Sequence, residues 1–406
     1  MQSRTAVTRR RAMLASVAGT AMLASPAVLR RAWAAGPIKI GVPCALTGPL
    51  AAVGQMTKRG CEFFVKERNA KGGVLGRPLE LLVEDTQGNP AACVRKTQEM
   101  VERHDCRLIT GITASSEALA VVPKLAEWKA FFMSSINGDG RLTAESLVPN
   151  FFRANTSGPM GTRVISLYLR ESKMKSFFAL GMDYAWGHNS VQVFEDELKR
   201  AKREFAGKMF SPTGTKDFST YITKIRNSGA DGLFMVLAGD DNNAFLSQAK
   251  QYRLGERMTL MTEQLELTSV KAVGDAAIGL IASSRYPFTY DHPANNAFVA
   301  AYQKEHNAVP DQFEGEAYHG LVALVAGIEK AKSIEADAIR VALEDMEIDS
   351  IKGKVKLRKC DHQGAQQGFV VKVANKSGYP HAVPDILQTF PADQVTPPCN
   401  KMTYDN

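Results

Sequence analysis

Apolar residues recur along this chain in two rhythms that take turns. Ile38, Ile40 and Val42 form a short alternating run that stops at a Thr/Gly/Pro turn. Cys61, Phe64 and Val65 then recur at helical spacing, and Asn69 to Gly73 closes that helix with glycine. A second apolar run, Leu79 to Val83, stops at Glu84-Asp85. The pattern predicts strand, helix, strand: a βαβ unit whose working loops lie at the strand C-termini.

The alternation continues with helices at 90–103 and 115–128 and strands at 107–111 and 131–134. A polar stretch rich in Gly, Asp, Ser and Asn, 137–155, reads as irregular. A second series begins at Gly158, with helices at 158–170, 187–203, 218–228 and 242–252. Its strands fall at 176–182, near Lys208, and at 232–237, 258–262 and 279–283. Two βα series, each starting anew, predict an α/β fold of two parallel-sheet lobes rather than one barrel. Beyond Tyr286 the spacing is helical at 293–305, 315–332 and 336–345, with strands returning at 354–357 and 368–373. The tail from Asn375 holds five prolines and reads as irregular.

The length of 406 residues suits two domains with separate cores. A net charge of +8 suggests an acidic partner until its location is considered. Six of the 50 basic residues precede residue 35, with no acid among them, so the remainder carries 44 basic against 42 acidic residues. That near-neutral balance removes the main support for nucleic-acid binding.

The basic N-terminus is followed by an Ala/Leu/Val-rich segment, 12–29, and by Ala32-Trp33-Ala34, whose small residues suit cleavage before Ala35. Residues 1–34 therefore read as an export signal. Arg10-Arg11 resembles a twin-arginine signal, with Arg9 where Ser or Thr is usual. The apolar segment is short and interrupted by Gly and Pro, a poor membrane anchor. Export permits disulfides among the six cysteines. Cys93 and Cys106 lie at opposite ends of a helix, roughly 18 Å apart, too far to bridge. Cys360 and Cys399 flank the C-terminal segment and form the better pair; Cys44 and Cys61 read as buried thiols.

Signatures of phosphate binding, dinucleotide binding, serine hydrolysis and zinc proteolysis are missing. The glycines at 72–76 follow a helix and precede a strand, the sheet edge away from the usual ligand crevice, and so read as a turn. Asp361-His362-Gln363 lacks a second histidine at ligand spacing and reads as a polar turn; no metal or cofactor is expected. The informative residues are polar groups after strands: Thr47, Ser115 and Ser116, Asn137, Asp183 to Trp186, Asp240, and Glu263. Each alone suits a cap or turn. Recurring on one edge of both lobes, they describe a cleft between lobes.

PCALTGPLAAVGQ, RNAKGGVLGRPLELLVEDTQGNP, KDFSTYITKIRNSGAD and EAYHGLVALVAGIEKAK resemble the periplasmic binding proteins of branched-chain amino acid ABC transporters, over nearly all of the mature chain. The resemblance implies the type I fold: two Rossmann-like lobes, 35–156 with 286–358 and 157–285 with 359–406. Three crossings join them, near 156–157, 284–286 and 358–361. It implies a ligand carboxylate held by Ser115, Ser116 and the stretch around Asn137. Tyr184, Trp186 and Asp240 would face it from the second lobe, with Glu263 on the ligand amine. Trp186 stands where Tyr is frequent, and Asp240 stands near another aromatic position. A Trp face stacks on aromatic rings or cations, so amino acids, amides and aromatic acids all come within reach. The expected function is a monomeric exported solute-binding protein delivering a small ligand to an ABC permease in the inner membrane. A soluble ligand sensor of the same fold is the alternative; a hydrolase lacks a nucleophile–base pair.

Overall fold

A computed structural model describes residues 36–404; the segment expected to be an export signal, 1–34, lies outside the described residues. The first series runs β1 (Ile38–Cys44), α1 (Ala51–Ala70), β2 (Leu79–Asp85), α2 (Pro90–His104), β3 (Leu108–Ile109), α3 (Ser115–Val121), β4 (Phe131–Ser134) and β5 (Phe151–Arg153). Its strands form an all-parallel sheet in the order β2-β1-β3-β4-β5. Helices cover both faces, so successive residues of β4 serve different cores. Phe131 and Met133 pack with Ala317, Leu321 and Leu324, while Phe132 packs with Cys93, Ala118 and Val121. Local signals set the boundaries: Asn89 accepts from the Ala92 N–H and Pro90 opens α2. Gly73 turns the chain after α1 at φ +75°, where a Cβ would meet the Arg77 carbonyl.

The second series runs α4 (Gly158–Leu169), β6 (Ser176–Met182), α5 (Ala185–Arg200), β7 (Glu204–Ser211), α6 (Ser219–Asn227), β8 (Gly232–Val236), α7 (Gly239–Gln251), β9 (Thr259–Thr262), α8 (Leu267–Val273) and β10 (Ile281–Ser284). The chain then forms α9 (Pro293–His306), α10 (Gln312–Ala331), α11 (Ala336–Leu343), β11 (Met346–Ser350), β12 (Gly353–Leu357) and β13 (Gly364–Ala365). It ends with β14 (Gly368–Ala374), β15 (Val383–Phe390) and α12 (Ala392–Val395). The second sheet has the order β15-β14-β10-β9-β8-β6-β7, in which β14 and β15 are antiparallel additions. Strands β11, β12 and β13 make a small antiparallel sheet. Helix α10 packs on α1, so the chain returns to the first sheet after visiting the second.

Several elements differ from the sequence expectation. The polar stretch 137–155 contains β5, because Arg153 is buried and its guanidinium satisfies the surrounding loop: it donates to Asp139 O, Thr143 Oγ1 and Gln363 Oε1, each at 2.6 Å. Helix α8 follows β9. Strand β11 precedes β12, and its alternating burial is too brief to read against the end of a helix. The proline-rich tail contains β15, where Pro384 is tolerated because β15 lies at the sheet edge. Gly364–Ala365 pairs with β12 before Gly368–Ala374 joins the second sheet.

Cys360 and Cys399 are bonded, with Cα atoms 5.8 Å apart. The other four cysteines are buried thiols. The Asp361-His362-Gln363 turn is structural: the His362 ring stacks on Phe152 at 3.9 Å, and the Arg153 N–H donates to its carbonyl.

Candidate functional site

The C-terminal edges of the two parallel sheets face each other, the place where open α/β sheets hold ligands. Between them lies a narrow, partly open cavity of about 20 Å³. The first sheet and its helices contribute Leu50, Val53, Thr113, Ser115, Ile136 and Gly138, with Phe313 from the start of α10. Opposite lie Tyr184, Trp186, Ala238, Gln264 and Arg285. The two sides also bond directly: the Leu267 and Thr268 N–H groups donate to the Asp311 carboxylate at 2.7 Å each, and Gly140 N–H donates to Asn189 Oδ1 at 2.8 Å.

Three of the expected residues line this space: Ser115, Tyr184 and Trp186. Ser115 Oγ accepts from the Gly138 and Asp139 N–H groups at 3.1 and 3.2 Å, which leaves its own proton to donate. Thr113 Oγ1 accepts from Ala45 N–H at 3.0 Å and is left in the same condition. The Tyr184 and Trp186 rings lie 5.9 Å apart, and Trp186 sits in the first turn of α5. That helix begins two residues before the expected start, which fixes the indole against the opposite loop. A Cβ on Gly138 would lie 2.5 Å from Trp186 Cδ1, so only glycine allows this approach.

The other four are placed elsewhere. Ser116 is half-buried outside the cavity wall. Asn137 is buried as a brace: its amide donates to Ile112 O at 3.0 Å and accepts from Ser134 Oγ at 3.0 Å. Asp240 is exposed in the first turn of α7, 3.4 Å from Lys216. Glu263 is fully buried behind the wall, where Arg285 Nη2 contacts its two oxygens at 3.2 and 2.9 Å and Trp186 Nε1 donates to Oε2 at 3.0 Å. Burial pushes its carboxyl up to about 7, although Arg285 and Trp186 pull the other way.

Arg285 is the residue that the sequence pattern did not single out. It follows β10 and is 2% exposed. Its Nη1 donates to Ile136 O at 2.8 Å, joining the edge of one sheet to that of the other. Its Nε is buried with no hydrogen-bond partner among the described residues. Gln264 shares this condition: its Oε1 is buried without a partner. Glu266 lies deeper, and burial together with the facing Asp311 pushes its carboxyl up to about 7.

The sequence profile of the periplasmic binding protein family matches residues 37–378. The chain belongs to that family. Among curated members it is 30% identical over 324 residues to the Leu/Ile/Val-binding protein BraC3 of Rhizobium johnstonii, covering 78% of this chain and 86% of that one. Its fold is similar to a periplasmic binding protein from Burkholderia mallei, with a TM-score of 0.83 at 22% identity over 89% and 96% of the two chains. A solute binding protein of an ABC transporter from Rhodopseudomonas palustris, in complex with 3,4-dihydroxybenzoic acid, has the same TM-score of 0.83 at 20% identity over 90% and 99%. The two parallel-sheet lobes are those of the type I periplasmic binding protein fold, and ABC transporter substrate-binding proteins are among its structural neighbours.

Proposed function

We infer that this chain is an exported solute-binding protein that captures a small carboxylate-bearing solute between its lobes and hands it to an ABC permease in the inner membrane. The observation that carries the reading is the divided cavity wall. Ser115, Ile136 and Gly138 come from one sheet edge and Tyr184, Trp186 and Gln264 from the other, so only the closed arrangement completes it. A solute touching both sides gains contacts that an open arrangement does not offer, and so shifts the equilibrium toward closure. Mostly apolar walls with a few converging polar groups suit a small molecule. A single chain completes the cavity, so the working unit is a monomer. No helix among the described residues is long and apolar enough to cross a membrane. With residues 1–34 as the export signal, the mature protein starts near Ala35.

A thermal-shift screen of amino acids, amides and aromatic acids tests the reading. A ligand at 100 times its Kd adds about 2.7 kcal/mol of apparent stability, and closure reduces the radius of gyration in small-angle scattering. A screen in which no class of small solute shifts unfolding refutes capture. Secreted material whose sequence begins at Met1 refutes export.

A further inference from the structure

We propose that the captured solute is a flat aromatic monocarboxylate without an ammonium group, and that Arg285 determines this choice. The proposal rests on the cavity between the lobes being the ligand site, and names the class of solute it takes.

Charge decides first. Arg285 carries the one formal charge in the cavity wall. An α-amino acid needs an anionic or multiple-acceptor seat for its ammonium, and the carboxylate at hand, Glu263, is spent. Both its oxygens face Arg285 Nη2, and Oε2 also accepts from Trp186. Nor is there room on its other side: a Cβ on Gly161 would come within 2.3 Å of Oε1. Glu263 is therefore a positioning residue. It holds the guanidinium and the indole in place from behind and does not reach the ligand.

The guanidinium is held but not exhausted. Nη1 donates to Ile136 O at 2.8 Å and Nη2 binds Glu263, while Nε is buried without a partner. A buried donor left unpaired costs free energy that an incoming carboxylate oxygen recovers. The hydroxyl protons of Ser115 and Thr113, on the opposite wall, are the further donors for the same carboxylate. The rest of the wall is of the kind that packs on a ring once the lobes part to admit it: Tyr184 and Trp186 on one side, Leu50, Ile136 and Phe313 on the other. The unpartnered Gln264 Oε1 gives a ring hydroxyl an acceptor.

Isothermal titration of the mature protein with 4-hydroxybenzoate, its neutral isostere 4-hydroxybenzamide, and the zwitterions leucine and phenylalanine tests the proposal. Wild type is expected to favour the acid over the amide by about 100-fold or more, since removing one partner of a desolvated charged contact has that effect, and to show no heat with the amino acids. Arg285→Gln is expected to bring the acid-to-amide ratio to within about tenfold, whereas mere loosening of the fold lowers both affinities together and leaves the ratio unchanged. Arg285→Lys, which keeps the charge and loses the fork, is expected to fall between. Should Arg285→Gln fail to fold, the wild-type ligand series still decides. Leucine or phenylalanine binding in preference to the acid, or equal affinity for acid and amide, overturns the proposal while leaving solute capture standing. Failure of all four probes in a chain that another solute class stabilises also overturns it, whereas no stabilising solute of any class refutes capture itself.

Discussion

Gly138→Ala is the sharpest probe of closure, because it adds one methyl group at the point where the two sheet edges meet. The new Cβ would lie 2.5 Å from Trp186 Cδ1, 2.8 Å from Arg285 Nη2 and 2.9 Å from Trp186 Nε1. Carbon atoms in contact sit about 3.5–4.0 Å apart, so the indole or the loop has to give by about an ångström. Neither is free to do so: Trp186 is tied to Glu263 and Arg285 to Ile136 O. Overpacking of this kind costs about 1–3 kcal/mol, which corresponds to about 5–150-fold in Kd. Backbone strain does not enter, since the glycine's φ lies outside the left-handed range. The contact joins opposite sides of the cavity, so the cost falls on the closed state. Calorimetric titration with the solute found by screening is expected to show the affinity loss. The ligand-free unfolding midpoint is expected to hold within about 2 °C, since less than about 0.5 kcal/mol should reach it. An unchanged Kd refutes the reasoning. So does a fall in ligand-free stability that matches the loss of affinity, because the contact would then be permanent packing.

Two further outcomes rest on buried groups and a third on the disulfide. Glu266 is raised from 4.5 to about 7 by burial and by the facing Asp311, whose carboxyl is also raised. A raised carboxyl favours the protonated form, so its contribution to the folded state is fully present below about pH 4.5 and is lost as pH rises through about 7. Urea unfolding across this range should therefore show a loss of stability toward pH 7 that Glu266→Gln removes, and a pH slope unchanged by the substitution would count against it. Lys352 and Glu316 form a pair at 2.6 Å with side chains 1% and 0% exposed, and Lys352 also reaches Thr156 Oγ1 at 3.3 Å beside the first crossing. Lys352→Met should cost about 3–5 kcal/mol in urea unfolding and Lys352→Met with Glu316→Leu much less; equal costs would show that the buried charge is not the cause. Replacing Cys360 and Cys399 by Ser opens a loop of sequence separation 39 and should remove about 2–4 kcal/mol of stability. An unchanged denaturation midpoint under non-reducing conditions would contradict it.

Much of the fold was legible because its signals are local. Period-two runs such as Ile38-Ile40-Val42 and helix starts such as Asn89-Pro90 depend on neighbours a few residues away, and these elements stand close to where the pattern puts them. Export chemistry and flanking positions likewise singled out Cys360 and Cys399. Strand β15 was not legible, because Pro384 argues against a strand until the strand is known to lie at an edge. Strand β5 was hidden by polar neighbours whose hydrogen bonds are met by Arg153, a residue that looks like ordinary surface charge in one dimension.

The polar residues after strands mark the edge where the cavity lies but not which of them face it. Asp240 and Trp186 occupy similar places, each in the first turn of a helix that follows a strand. One points to solvent and pairs with Lys216, while the other meets Gly138 and Glu263. The role of Glu263 was decided further away still. Read alone, a glutamate after a strand offers a negative charge to an ammonium group. In the folded chain Arg285, 22 residues later, arrives from the end of β10 and occupies it. No periodicity or cap links those two positions. They meet because β9 and β10 pair side by side, so the loops leaving their ends converge on one edge. Which strands become neighbours is a property of the whole sheet, and with it came the change from a carboxylate facing the cavity to a guanidinium.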